Sequence, residues 1–335
     1  MKRFRRGLSL LMVAALTLLL LGGCAAKESP VVMVVGGENI RAREYAYFLR
    51  LNSSYADPEQ GDDGVKAAKE MAANQVILMH LIFEKAAAYG ITLTKEDQDQ
   101  LKNNKKENIA AAGGTAAYEK ALKESGMTDT LFDKISESSV LYQKLADGLY
   151  AVGGPEEPSA EEITRFFEEN YATVSCILKA TTDNNGNALS DDQIAKKRGE
   201  AEDLLEKIRD GADFLTLVKS EGEDPELTDT NGYQYTFTHS ALTPQNAVAP
   251  ELEDAAFALD VGGISGIVET ENGFLIIKRL PLDQTYPEKN RSALILAMTD
   301  ELFNEQIQQW MKEATVTYSK EYENITPSNV ELYLK

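Results

Sequence analysis

Apolar and polar positions change rhythm several times along this chain, and each change announces a different kind of element. The first pattern is an unbroken apolar run, Leu8 to Leu21, relieved only by Ser9 and Thr17 and preceded by Lys2, Arg3, Arg5 and Arg6. Its fourteen residues fall short of the roughly 20 that a helix needs to span a bilayer, so it reads as the core of a secretory signal. Val31 to Val35 is strand-like, and Gly36-Gly37 turns it into Glu38-Asn39-Ile40 as a hairpin. A helical period then takes over. Residues 41–56 offer Tyr45, Phe48, Leu49 and Tyr55 to one broad face, and Asp57-Pro58 with Gly61 ends that helix. Residues 65–89 give the strongest helix, with Met71, Leu78 and Ile82 in one stripe and Gly90 as its C-cap. Thr94 to Asp97 forms a capping box that opens a highly charged helix, read as a solvated face. Two more helices follow, capped by Thr115 and Thr128.

The rhythm changes again at Ala151-Val-Gly-Gly-Pro-Glu-Glu-Pro158, where two glycines and two prolines mark a linker. Ser159 caps a helix that ends near Tyr171. A strand (174–179), a polar turn (183–187), a long helix (191–209) and a short one from Phe214 come next. An irregular stretch holds Tyr233, Tyr235 and Phe237. A helix near 250–258 then precedes a hairpin of 264–269 and 274–279, joined at Asn272-Gly273 by a type I′ turn. Residues 288–312 form a last long helix whose apolar positions include Leu294, Phe303, Ile307 and Trp310. The α+β unit is complete without it, so it is expected to fold back on the amino-terminal helices. The fold class is therefore α+β, a helical module into which an α+β domain is inserted. Its parts are a signal peptide (1–23), amino-terminal helices (24–150), a linker and connecting helix (151–171), the α+β domain (172–282) and a carboxy-terminal helical segment (283–335).

Composition narrows the chemistry. The chain has 34 bases against 54 acids, a formal charge of −20. Removal of the signal leaves 30 bases against the same 54 acids, and such a surface repels phosphate backbones, so no nucleic-acid partner is expected. Two cysteines and two histidines cannot build a disulfide framework, a Cys₄ zinc site or a histidine-rich metal cluster. GxSxG, GxGxxG and Walker A motifs are absent. Cys24 ends Leu21-Gly22-Gly23-Cys24, which resembles the bacterial lipobox. The resemblance implies lipidation of Cys24 and an anchor on the outer face of the bacterial cytoplasmic membrane; two acyl chains anchor stably where one is marginal. Cys176, in the apolar Val174–Leu178, reads as a small buried hydrophobe. His80 reads as a partly buried, hydrogen-bonded core histidine and His239 as a solvent-exposed loop residue.

Five segments in order resemble a parvulin-type peptidyl-prolyl isomerase domain over residues 172–281. They are Val174–Leu178, Gly211–Phe214, Pro250–Leu259, Gly263–Ser265 and Asn272–Lys278. Val34–Ile40 followed by a helix, behind a lipobox, resembles the start of PrsA- and SurA-type extracytoplasmic foldases. The resemblance implies catalytic positions at Asp224 and Cys176 and substrate-binding positions at Gln234, Phe237, Leu242, Leu252 and Leu275. It also shows departures: Cys176 and Leu275 stand where parvulins place histidines, and Tyr235 where a glycine is usual. The reaction needs no cofactor, metal or nucleophile. An X–Pro amide turns over a barrier of about 20 kcal/mol, and an apolar cup favours the twisted, less polar amide. The expected partners are unfolded or partly folded secreted polypeptides. A non-catalytic holdase on a degenerate parvulin fold is the alternative, and a solute-binding lipoprotein a further one.

Overall fold

The computed structural model describes residues 29–55, 61–183, 186–242 and 247–335; the signal segment 1–23 and Cys24 lie outside them. Two compact units result, one running up to Val76 and including Thr315–Lys335, the other spanning Ile77–Ala314.

In the first unit β1 (Val31–Val35) pairs antiparallel with β2 (Glu38–Arg41). Gly36 and Gly37 both have positive φ, +55° and +89°, as a two-residue turn matched to the strand twist requires. α1 (Ala42–Leu51) buries Tyr45, Ala46 and Leu49, and α2 (Gly61–Ala88) starts here and runs on into the second unit.

Helix caps organise the helical part of the second unit. α3 (Lys95–Ala111) opens on the expected box: the Asp97 N–H donates to Thr94 Oγ1 (3.2 Å) and the Thr94 N–H to the Asp97 carboxylate (2.7 Å). Consistent with its charge run, α3 buries no residue. α4 (Thr115–Glu124) corrects the expected cap, because Gly114, at φ +113°, occupies that position and no side chain caps the helix. α5 (Asp129–Tyr150) is capped by Thr128, and α6 (Ala160–Asn170) by the Ser159–Glu162 box. His80 is buried, and its Nε2 lies 2.9 Å from the Lys134 ammonium, which must be the donor.

The α+β domain follows. Its elements are β3 (Tyr171–Ala180), α7 (Asp191–Arg209), α8 (Phe214–Glu221), β4 (Tyr235–Thr238), α9 (Pro250–Ala258), β5 (Ile264–Thr270) and β6 (Gly273–Leu280). The sheet is antiparallel in the order β4-β3-β6-β5. β4 corrects the irregular stretch expected around Tyr235. The hairpin turn also shifts by one residue: Thr270 pairs with Gly273, so Glu271 and Asn272 form the turn and Gly273 begins β6. Gly273 has φ +144°, and a Cβ there would sit 2.2 Å from the Lys179 carbonyl oxygen. The glycine answers a close approach of β3 rather than the turn itself.

α10 (Tyr286–Lys289) leads into α11 (Arg291–Glu313), which folds back on α5 as expected. Phe303 meets Tyr142 edge-on at 4.8 Å, and the Tyr150 hydroxyl donates to the Leu302 carbonyl at 3.0 Å. The chain ends in the first unit with β7 (Val316–Tyr318), paired to β1, and α12 (Lys320–Asn324), where Tyr322 stacks obliquely on Tyr45 at 5.1 Å. The fold is α+β, a set of helices with an α+β domain inserted between α6 and α11. Among the described residues no helix is long and apolar enough to cross a membrane.

Two glycines of opposite character test this account. Gly273→Ala should lower stability by about 2 kcal/mol or more, through strain and collision with β3. Gly199→Ala, inside α7 with open space around it, should raise stability by about 0.5–1 kcal/mol. Urea denaturation of the full chain measures both.

Candidate functional site

Strand alternation assigns β3 two faces. Lys179 faces α7 and α8, donating to the Glu221 carbonyl at 2.8 Å, and its cross-strand partner Phe274 lies under the Arg198 guanidinium. Val174, Cys176, Leu178 and Ala180 face the other way. Their partners complete that second face: Tyr235 opposite Val174, Phe237 opposite Ala172, Ile277 opposite Cys176 and Leu275 opposite Leu178. α9 covers one end of it. Pro250 at the first turn starts this helix, Leu252 and Ala256 point inward, and Arg279 ties it down by donating to the Ala256 carbonyl at 3.0 Å.

Beside α9 the face stays open as a cavity of about 830 Å³. Leu178, Leu275, Phe237, Leu252, Val248 and Tyr235 supply its apolar surface, while Asp183, Glu223, Asp224, Glu226, Thr182 and Asn272 supply polar wall. β4 reaches the cavity after a tight loop in which Gly232 and Tyr233 both adopt left-handed backbone, φ +66° and +58°. For tyrosine that conformation is strained, and it is held in place: the Tyr233 N–H donates to the Thr228 carbonyl at 2.9 Å, and its own carbonyl accepts from Ser175 Oγ at 2.7 Å. The loop thereby aims Tyr235 inward, and its hydroxyl lies 3.4 Å from Cys176 Sγ.

The floor is neutral. Burial pushes the Cys176 thiol up to about 12; the Tyr235 hydrogen bond acts against this rise, and the Asp224 charge adds to it. Burial also raises the Tyr235 hydroxyl, with Cys176, Asp224 and Glu226 acting in the same direction. Glu223 goes the other way. Its burial would raise it, but hydrogen bonds from Lys197 and the Ala180 N–H, with the Lys179 charge, hold it below the usual carboxylate range.

Four of the expected site residues therefore meet in one cavity: Asp224, Phe237, Leu252 and Leu275. Cys176 lies fully buried behind Tyr235. Gln234 and Leu242 are not brought there. Gln234 is exposed, lies before β4 and forms no part of the wall. Leu242 lines a separate hollow with Ala297, Asp300 and Glu301 of α11; Val248 and Ala249, from the far side of the following loop, take the place it was expected to fill. Tyr235 is the functional candidate the sequence did not assign, although the alternation Tyr233, Tyr235, Phe237 carried the signal of a strand. His239 is not a free loop residue: its Nδ1 lies 2.9 Å from a Glu253 carboxylate oxygen, and its ring stacks on Phe257 at 3.8 Å. Among the described residues no three His, Cys, Asp or Glu side chains are grouped to hold a metal ion.

Residues 177–280 match the family model described as Rotamase: PPIC-type PPIASE domain. Over greater lengths the chain is similar to two proteins named foldase protein PrsA. One, from Caldanaerobacter subterraneus subsp. tengcongensis, is 24% identical over 290 residues, covering 82% of each chain. The other, from Clostridium botulinum strain Hall, is 22% identical over 317 residues, covering 88% of this chain and 90% of that one. Among solved structures, a PrsA peptidylprolyl isomerase from Bacillus cereus aligns over 92% of this chain and 99% of its own, at 17% identity and a TM-score of 0.37. Residues 177–280 thus match a PPIC-type, or parvulin, domain, and over most of its length the chain is similar to proteins named foldase protein PrsA.

Proposed function

We propose that this protein is a membrane-anchored extracytoplasmic foldase that receives secreted polypeptides and turns their X–Pro bonds in the cavity beside α9. The observation that carries the reading is that cavity: an apolar floor, open to solvent on one side, inside the segment that matches the PPIC-type family. The relatives named foldase protein PrsA support the wider role. A proline ring set among Phe237, Leu252, Leu275 and Leu178 loses water, and its amide with it. Amide resonance separates charge, so the planar ground state loses more from desolvation than the twisted state does, and the barrier falls. Asp224 belongs to the wall around that amide, and Cys176 acts from beneath through Tyr235. At neutral pH Cys176 is a thiol, so its part is packing and a weak hydrogen bond, not attack on the client.

A second reading has its own observation. Neither position where the resemblance expects histidine holds one, since Cys176 and Leu275 occupy them. On that reading the domain binds clients without turning them, as a holdase. Cys24, outside the described residues, supplies the membrane anchor on either reading.

Three outcomes test these statements. The full chain should accelerate cis–trans exchange of a short Xaa–Pro peptide, and Leu252→Ala should reduce the rate about tenfold while client aggregation is still suppressed. A folded chain with no rate above background, yet able to suppress aggregation, would decide for the holdase. In the acylated chain Cys176 is the remaining thiol of the two cysteines, and it should react with a maleimide at pH 7–8 only after denaturation; fast native reaction would contradict its burial. Cys24→Ala should move the protein from the membrane fraction to the soluble one, and continued membrane association would reject the anchor.

A further inference from the structure

The cavity wall bears charge of one sign. Asp183, Glu223, Asp224 and Glu226 line it, and among the described residues no lysine, arginine or histidine does. Glu223 is neutralised from behind by Lys197 and Lys179. The contact to Asp224 is of another kind: its carboxylate accepts from the Glu226 N–H at 2.9 Å. Such an amide donor satisfies a lone pair and fixes the carboxylate in place without cancelling its charge. Its charge reaches the floor, where it bears on both Cys176 and Tyr235. Against this rim the floor is apolar. Consecutive Cα atoms are about 3.8 Å apart, so a proline seated in the floor places its neighbours' side chains at the rim.

Building on the reading of this cavity as an X–Pro site, we propose that it selects client segments in which lysine or arginine flanks the proline, with Asp224 and Glu226 as the specificity-determining residues. A cationic neighbour gains from each carboxylate at the mouth of an apolar cleft, where field lines are focused, and an acidic neighbour is repelled by the same groups. The attraction is partly exposed, so it is moderate and falls with salt.

The test compares three peptides that differ only beside the proline: Ala-Lys-Pro-Lys-Ala, Ala-Gln-Pro-Gln-Ala and Ala-Glu-Pro-Glu-Ala, all blocked at both ends. Exchange rates and Kd are read by NMR with the full chain in detergent. At low salt kcat/KM for the lysine peptide should exceed that for the glutamate peptide about tenfold, and the ratio should shrink towards one in 0.5 M salt. Asp224→Asn with Glu226→Gln should cut the low-salt ratio to threefold or less. Glu96→Gln with Glu107→Gln, exposed on α3, should leave it unchanged. Equal rates for the lysine and glutamate peptides, or a ratio that survives the Asp224/Glu226 double variant, would overturn the proposal; the latter would assign the effect to bulk charge. The glutamine peptide separates this proposal from the reading beneath it. If it is turned over while the charged pair is not discriminated, the isomerase stands and the selectivity falls. If none of the three is turned over, the isomerase reading falls and Kd decides the selectivity: tighter binding of the lysine peptide sustains it, and equal Kd values overturn it.

Discussion

The register between β3 and β6 decides which residues can meet in the cavity. Side chains alternate along a strand, so a slip of one residue would send Cys176 and Leu178 to the α7/α8 face and bring Ile177 and Lys179 under α9. Eight consecutive cross-strand pairs, Thr173 with Leu280 through Ala180 with Gly273, oppose that slip. The end of the ladder is set by Gly273, whose missing side chain admits the Lys179 carbonyl. An apolar floor in front and the Lys179 ion cluster behind are thus two consequences of one pairing.

The rear is where the cost of this arrangement appears. Lys179 points its ammonium into a largely buried site with only 7% of its side chain exposed, a position an unpaired charge could not hold. Glu200, Glu221 and Glu223 lie within 3.5–3.8 Å of it, and the Glu221 carbonyl accepts one of its protons. These contacts join α7 and the end of α8 to the sheet. Glu223 has a second part, since its carboxylate accepts from the Ala180 N–H and its own N–H donates to the Leu178 carbonyl at 3.0 Å. The next residue is Asp224. The rim of the cavity is therefore fastened, one residue away, to the ion cluster behind the sheet.

Most of the scaffold was legible because its signals are local. Capping boxes at Thr94 and Ser159 and the two-residue turn at Gly36-Gly37 need only neighbouring residues to act. β3 read correctly from residue 174 because its buried residues there, Val174, Cys176 and Ile177 followed by Leu178, leave a mostly apolar run in the sequence. β4 did not, because it has four residues and is entered through Tyr233 in left-handed backbone, a conformation that sequence associates with glycine. The Asn272-Gly273 pair misled for a related reason: the glycine is demanded by β3, a distant strand, and not by the turn beside it. The site shows the same division. Leu252 and Leu275, which the parvulin resemblance picked out, sit on α9 and β6, regular elements that the sequence showed, and face inward there. Leu242 sits outside such an element, and its spacing along the chain gave no measure of where the loop would leave it.

The departures from the parvulin pattern are consistent with one another in physical terms. A histidine in β3 would offer a ring that exchanges protons and binds water, and it would need polar neighbours to be buried. Here Cys176 is small enough to leave room for Tyr235, which stands where a glycine is usual, and the tyrosine ring fills space from the other strand. Its hydroxyl finds a partner in Cys176 Sγ, so neither polar group is buried alone. Leu275 in β6 then meets a neutral, apolar surface in place of a second histidine. The two replacements depend on each other: returning a histidine at 176 with Tyr235 present would overfill the floor, and Tyr235 without Cys176 would bury an unpaired hydroxyl. Amide rotation transfers no proton, so exchanging a titratable floor for a neutral one removes no reactant from the proposed chemistry. What it changes is where charge resides. With no cation in the lining among the described residues, the carboxylates of the rim set the electrostatic character of the cleft.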